Sequence, residues 1–429
     1  MKVNIFWFRR DLRLDDNIAL TQALKCKNVL PIFIFDSSIL NKLEKDDSRI
    51  SFIHTLLTNI NKSLNEYKSG LLTYYGNPLS IWKKIILEYD VEKVYWNKDY
   101  EPYAINRDNE IINFLKSKNI ETNVYKDQVI FEEFDILKND NKPYTVYTPY
   151  KNKWLSEFSQ IKNSVLNINS EEISYSNFLD LNSEIISLNE MGFIQSTIKV
   201  RDFNLEYIKK YDLIRDYPFK DQTSYLSPHL RFGSISIRKC VKVAFESNSI
   251  FLSELIWREF FMQILFHFPY VVDNCFKSKY EKLNWLNDVD MYEKWCNGET
   301  GYPLVDAGMR QLNQTGYMHN RVRMITASFL VRHLLIDWKW GERYFAKKLL
   351  DFELSSNNGN WQWAAGTGCD SAPYFRIFNP IEQLKKFDSQ LLYVNKWIND
   401  LNKLSYPKEI IEHKFARQRC LDTYKSALK

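Results

Sequence analysis

Over the first 130 residues, short apolar runs alternate with longer amphipathic segments. Val3–Phe8, Val29–Phe35, Leu71–Tyr75, Val91–Trp96 and Ile120–Tyr125 read as short apolar strands, and Asn17–Lys25, Arg49–Tyr67, Pro78–Tyr89 and Pro102–Lys118 read as helices. Two of those helices open on proline, which suits a first helical turn because the N–H it lacks would have no partner there. Strand and helix in strict alternation predict a mostly parallel, doubly wound sheet. From about Phe131 to Val200 the pattern loosens into Asn-, Ser- and Lys-rich sequence around an aromatic segment, Tyr144–Trp154, which reads as a connection between domains. After Val200 the spacing becomes helical and stays so. SELIWREFFMQILFHF, from Ser253, sets Leu255, Ile256, Phe260, Ile264 and Phe268 as a core face, and Val305–Leu312, Arg321–Leu335 and Arg343–Leu350 continue the pattern. The expected organisation is an α/β domain over 1–130, an interdomain linker over 131–200 and an all-α domain over 201–429.

Composition agrees with two domains. A chain of 429 residues is too long for one ordinary core, and 45% apolar with 26% charged residues is a globular balance, not a disordered one. No run approaches the roughly 18 apolar residues of a membrane span. Val3–Phe8, followed by Arg9, Arg10 and Asp11, is too short for a secretory core. Six cysteines and six histidines are scattered without a C-x-x-C, so no zinc or disulfide framework is expected and a reducing cytosol is the simplest compartment. The net charge of +5 is a weak signal, but 13 of 18 arginines and eight of 12 tryptophans lie after residue 200. Arginine interleaved with aromatic residues points to nucleic acid.

The first strand runs into FRRDLRLDDN, not into G-x-G-x-x-G, and only Gly70 and Gly76 occur in the whole α/β region. A phosphate-cradling NAD or P-loop site is therefore not expected there. Chemistry concentrates in DFELSSNNGNWQWAAGTGCDSAPYFRIFNP, Asp351 to Pro380. Carboxylates and amides there can satisfy ring N–H and hydroxyl groups, small residues admit a flat ligand, and Trp361 and Trp363 offer faces for stacking. Glu254, Arg258, Asn320, Arg323 and Asp351 interrupt otherwise apolar helices. Buried polar groups need partners, which here are one another or a large polar cofactor.

These residues resemble the DNA photolyase/cryptochrome family over nearly the whole chain. FWFRRDLRLDDN is similar to its N-terminal signature; SELIWREF, GYPLVDAGMRQLNQTGYMHNRVRMITASFLV and NNGNWQWAAGTGCDSAPYFRIFNP are similar to its helical FAD domain. The resemblance implies an α/β antenna domain, a helical domain holding FAD, and light-driven repair of ultraviolet-damaged DNA by a monomer. It implies that Tyr211, Thr223, Ser224, Leu226 and Ser227 hold the FAD phosphates and ribityl chain. Arg258 and Arg323 would add charge, Asp351 and Glu353 would take polar groups of the isoalloxazine and ribityl, and Asn357 would lie beside flavin N5. Glu353 departs from the more usual Asp. Trp361, Trp338 and Trp285 match a tryptophan chain that reduces excited flavin from the surface inwards.

For the lesion, Glu254, Trp257, Asn320, Met324 and Trp363 match the pocket of class I enzymes acting on cyclobutane pyrimidine dimers, with Glu254 and Asn320 also bordering the cofactor. Apolar faces would take the saturated rings of a flipped-out dimer, and Glu254 and Asn320 its imide edges. His319 belongs to the M-H-N-R string and is not counted as catalytic. Arg215, Arg321 and Arg376 would contact flanking phosphates, giving salt-dependent affinity without sequence choice. Folate-binding relatives carry an Asn-Glu pair where Tyr103 and Ala104 stand here, so the second chromophore stays open between a deazaflavin, another flavin and an empty cleft. The alternative reading is a cryptochrome-like photoreceptor without repair activity. The chain has no long disordered tail after Trp397, and Asn357, Asn320 and Met324 match repair enzymes, which favours the lyase.

Overall fold

The computed structural model describes residues 1–166 and 174–428, so residues 167–173 of the expected linker lie outside it. Two compact units emerge. The first comprises Met1–Ile136, Lys153–Phe203 and Tyr225–Glu246; the second comprises Leu137–Asn152, Asn204–Ser224 and Ser247–Lys429.

In the first unit, β1 (Lys2–Phe8), β2 (Val29–Asp36), β3 (Leu72–Gly76), β4 (Asp90–Asn97) and β5 (Glu121–Tyr125) form one sheet in the order β3-β2-β1-β4-β5. Every pair is parallel. Parallel neighbours need crossovers, supplied by α1 (Ile18–Ala23), α2 (Ser37–Leu40), α3 (Ser48–Asn65), α4 (Pro78–Glu88) and α5 (Pro102–Ser117). The two-residue period of the strands sorts side chains onto two buried faces. Phe6, Phe8, Val29, Phe33 and Phe35 pack with α1 and α3, whereas Val3, Ile5, Trp7, Leu30, Ile32 and Ile34 pack with Trp82 of α4 and Ile111 of α5. The stretch after 130 is structured: α6 (Tyr147–Leu166) runs for 20 residues, and Phe178, Leu188, Met191 and Phe193 join the α1–α3 core. α7 (Tyr211–Ile214) belongs to the second unit; α8 (Leu226–Phe232) and α9 (Ile237–Ser247) adjoin it in sequence.

Beyond the carboxyl ends of β1 and β4, where a doubly wound sheet normally opens a crevice, ion pairs gather. Arg9 holds Asp108 (2.5 Å) and the carbonyl oxygen of Asn97, and Arg10 holds Asp99 (3.1 Å) and Glu101 (2.9 Å). Asp11 accepts from the Asn97 side chain at 2.6 Å. Arg13 and Arg238 converge on Asp127, each at 2.7 Å. The polar half of FRRDLRLDDN is thus a buried brace.

The second unit is helical: α10 (Ser249–His267), α11 (Val289–Asn297), α12 (Pro303–Thr315), α13 (Asn320–Ser328), α14 (Trp338–Lys348), α15 (Leu354–Ala365), α16 (Pro380–Phe387), α17 (Leu392–Trp397) and α18 (His413–Ala427). Its main core gathers Trp295, Leu304, Val305, Val322, Phe329, Leu330, Trp338, Phe345 and Trp361. The helix expected across Arg321–Leu335 is not continuous: α13 passes at Phe329–His333 into a π-helical turn whose five residues are all buried. An ordinary amphipathic helix would turn one of them to solvent. Among the described residues, no helix is long and apolar enough to cross a membrane.

Asp127→Ala leaves two buried guanidinium groups without their shared carboxylate and is expected to destabilise the first unit by about 3–5 kcal/mol in urea unfolding. Burial opposes ionisation of Asp127, but Arg13 and Arg238 outweigh it and hold the carboxyl below its ordinary range. The stability it contributes is therefore complete above that range and is lost as pH falls through the depressed value. The substituted chain should lack this acid-side loss.

Candidate functional site

Asn248 starts α10, accepting from the Phe251 backbone N–H (3.0 Å) and donating to Asp212 (2.8 Å). The helix so begins four residues before the expected Ser253 and carries Glu254, Trp257 and Arg258 half-buried beside fully buried Leu255, Ile256 and Phe260. Glu254 pairs with Arg215 at 2.8 Å, Arg215 lies 5.0 Å over the Tyr211 ring, and the Tyr211 hydroxyl is a further partner of the carboxylate. Burial pushes the Glu254 carboxyl up, and Arg215 offsets this only in part. Tyr211, Arg215 and Glu254, expected in separate roles at phosphate, DNA and lesion, are brought into one cluster. Trp257 is stacked on Tyr147 with centroids 3.6 Å apart and planes 9° from parallel. Tyr147 is pinned by its hydroxyl donating to the Ser253 carbonyl (2.6 Å) and its backbone N–H donating to Asp370 (3.0 Å).

α13 is capped by His319, whose Nδ1 accepts from the Arg321 backbone N–H at 3.2 Å. Burial and the neighbouring Arg321 and Arg323 push the imidazole down to about 4, so it is neutral and able to accept. Arg321 is paired with Asp216, lies 4.6 Å over the Phe387 ring and reaches the sulfur of Met324 at 3.8 Å. Arg323 donates to the Met318 carbonyl (2.8 Å) and to Asp351 Oδ2 (2.9 Å). The other oxygen, Asp351 Oδ1, is buried and has no protein partner. A lone buried acceptor of this kind calls for a donor from outside the chain.

Glu353 caps α15, accepting from Ser355 N (3.2 Å), Ser355 Oγ (2.6 Å) and Ser356 N (2.8 Å). One turn on, Asn357 donates both amide hydrogens to Glu342, to its carbonyl at 3.0 Å and its carboxyl at 2.8 Å. That fixes the amide so that its free group is the carbonyl oxygen. Burial pushes Glu342 up, toward a protonated side chain. Trp361 is buried with Gly341 of α14 against its ring; a methyl at 341 would overlap the indole. Trp363 and Met324 are half-buried, and Asn320 is exposed.

Trp338 is the buried first residue of α14, and Trp285 is half-buried with its ring 6.2 Å from Tyr424. Thr223 and Ser224 are half-buried, the Ser224 carbonyl accepting from Asn204 N at 2.9 Å. Leu226 and Ser227 open α8 in the first unit, after Tyr225 at φ +52°. Arg376 is exposed, 5.8 Å from the Phe378 ring. Tyr147 and Glu342 were not among the expected residues; Tyr147 lay inside the aromatic segment Tyr144–Trp154, whereas nothing local marks Glu342. Among the described residues, no group of three or more His, Cys, Asp or Glu is placed to hold a metal ion. The chemistry of the donor set fits a flavin, whose ring N–H and carbonyl groups suit the open acceptor Asp351 Oδ1, the Asn357 carbonyl and the Arg323 guanidinium.

Residues 4–167 match the family model described as DNA photolyase, and residues 251–405 match that of the FAD binding domain of DNA photolyase. A deoxyribodipyrimidine photo-lyase from Synechococcus sp. is 34% identical over 436 residues, covering 95% of this chain and 90% of its own length. A bacterial class III photolyase from Agrobacterium tumefaciens has a TM-score of 0.86 at 31% identity, covering 100% of this chain and 98% of that one. An archaeal photolyase from Sulfolobus tokodaii, solved with two FAD molecules, has a TM-score of 0.81 at 31% identity, covering 99% and 100%.

The His319 cap makes a pH prediction. The unfolded chain takes up a proton near 6.5 and the folded chain only near 4, so stability is lost as pH drops from the first value towards the second. Unfolding measured against pH should show this loss, and His319→Asn, a capping residue that does not titrate, should remove it.

Proposed function

The chain belongs to the DNA photolyase family, and from that premise we propose that it is a light-driven lyase that splits cyclobutane pyrimidine dimers in ultraviolet-damaged DNA. Its cofactor is FAD, in keeping with the matched FAD-binding domain. When bound and reduced, FAD supplies the photo-excited electron that opens the cyclobutane ring.

The chain's own groups hold and shield that chemistry. The observation that carries the reading is Asp351, with one oxygen fixed by Arg323 and the other buried and open to a ligand N–H. The Asn357 carbonyl, oriented by Glu342, is an acceptor suited to the N–H that a flavin carries at N5 only when reduced. The hydroxyl and backbone N–H groups of Tyr211, Thr223, Ser224, Leu226 and Ser227 would serve the cofactor's phosphates and ribityl chain, and Arg258 would add charge. Glu353 acts on it through the start of α15, which it caps.

On the lesion side, Trp257, Trp363 and Met324 offer apolar faces, and Asn320 an amide for an imide edge. Glu254, pushed toward its protonated form, suits donation to a pyrimidine carbonyl. Arg215, Arg321 and Arg376 serve the flanking phosphates; for Arg215 and Arg321 this means exchanging Glu254 and Asp216 for the backbone of DNA. Trp361, Trp338 and Trp285 would supply the electrons that keep a bound flavin reduced.

Purified, reduced protein mixed with ultraviolet-irradiated oligothymidylate should restore thymine absorbance under blue light and not in the dark. No recovery with reduced FAD bound would remove the dimer-repair reading and bring a receptor or another lesion forward. Asp351→Asn should weaken FAD retention by about tenfold or more, the equivalent of a charged hydrogen bond at about 1.5–3 kcal/mol. Trp361→Phe should abolish photoreduction of oxidised FAD while pre-reduced protein still repairs; joint loss would give Trp361 a different role.

A further inference from the structure

Arg215 and Asp216 follow one another at the end of α7, and their side chains run to different helices. Arg215 pairs with Glu254 of α10, and Asp216 pairs with Arg321 of α13. The turn that carries them is fixed. The Arg215 N–H donates to the Tyr211 carbonyl at 2.9 Å, the Tyr217 N–H donates to the Ile214 carbonyl at 3.1 Å, and Ile214 is buried. Two neighbours of opposite sign thus each hold a partner, and the cations of Arg215 and Arg321 are already neutralised.

Of these four side chains only Asp216 has no task toward cofactor, lesion or phosphate, yet its position decides what Arg321 can do. Arg321 lies 4.6 Å over the Phe387 ring, with one terminal nitrogen 3.8 Å from the Met324 sulfur and the other on Asp216. Its Nε is buried and has no hydrogen-bond partner among the described residues. In the Asp216–Arg321 pair the carboxylate is the more exposed side chain, at 40% against 21%, so an anion arriving from solvent meets the anion before the cation. A phosphate and a carboxylate on the same edge of one guanidinium repel each other, so one of them has to leave.

We propose that Asp216 is a specificity-determining residue: it withholds Arg321 from the phosphates of undamaged DNA and yields it to a strand whose lesion has entered the pocket. The inference rests on the reading of Arg321 and Met324 as contacts to DNA and lesion. Undamaged DNA brings phosphate alone, and exchanging one anionic partner for another on the same guanidinium gains little. A flipped dimer also brings apolar rings to Met324, the residue that Arg321 already touches. Burial of those rings supplies the free energy that an exchange of anions lacks, and the displaced Asp216 carboxylate turns to water. Arg376, exposed and far less constrained, serves both kinds of DNA alike. Selectivity comes from the cation whose availability is conditional, since it is the difference between two affinities.

The test titrates full-length, FAD-loaded protein in the dark with one oligothymidylate, irradiated or unirradiated, following binding by anisotropy and FAD retention by absorbance. Asp216→Asn should tighten binding of the unirradiated strand by about tenfold, the worth of one charge-assisted contact, and leave the irradiated strand nearly unchanged. Its salt dependence on the unirradiated strand should steepen by about one phosphate contact. An equal gain on both strands makes Asp216 a plain surface charge and overturns the proposal, as does a loss on both with FAD retained. Arg321→Gln tests the same idea without touching the carboxylate. It should weaken the irradiated strand by about tenfold and hardly affect the unirradiated one, and equal weakening overturns the proposal. Glu206→Gln frees Lys209 from an exposed pair on the same segment and should leave the selectivity ratio as it was; a matching fall there overturns the proposal. If the unmodified chain binds both strands alike, the dimer reading falls and this inference with it. If the unmodified chain discriminates and Asp216→Asn discriminates equally well, only this inference falls.

Discussion

The Arg323–Asp351 pair is the interaction on which the helical unit's site depends. Arg323 stands on α13 and Asp351 just ahead of α15, so one ion pair ties the element that carries Asn320, Arg321 and Met324 to the element that carries Asn357, Trp361 and Trp363. The pair is half satisfied: Arg323 gives one N–H to the Met318 carbonyl and one to Asp351, while the other carboxylate oxygen stays buried without a protein partner. Removing a partner from a buried charge is costly, so this arrangement favours a bound donor over an empty site. Glu353 and Glu342 extend the same logic, one ordering the first turn of α15 and the other locking the Asn357 amide.

Much of the architecture was legible in the chain because it rests on local periodicity. All five expected strands are present within a residue or two of their boundaries, since apolar runs of that length between amphipathic helices have few other solutions. The helical character of the second half was legible for the same reason. The π-helical turn at Phe329–His333 was not, because its five residues are buried by tertiary packing, which erases the helical spacing that marks a boundary.

For the site, single residue types in long matched strings carried the reading, and contacts made across the fold were missed. Tyr147 stacks on a residue 110 positions away, and Glu342 bonds an amide 15 positions away. Neither separation leaves a local signature. The FRRDLRLDDN signature could be matched but not interpreted from sequence; its arginines and aspartates brace strand ends and touch no expected ligand.

The stacked pair of Tyr147 and Trp257 has a consequence for how tightly a flat ligand can be held. One face of the Trp257 indole is already covered, at a distance and tilt that leave little to improve. A base or saturated pyrimidine ring arriving on that face must first displace Tyr147, which gives up a stacking contact and the bond that pins its hydroxyl to Ser253. What such a ligand gains is the difference between two similar contacts, not the whole of one. Discrimination at that face is therefore an exchange reaction, in which the protein's own tyrosine sets the reference that any guest has to beat.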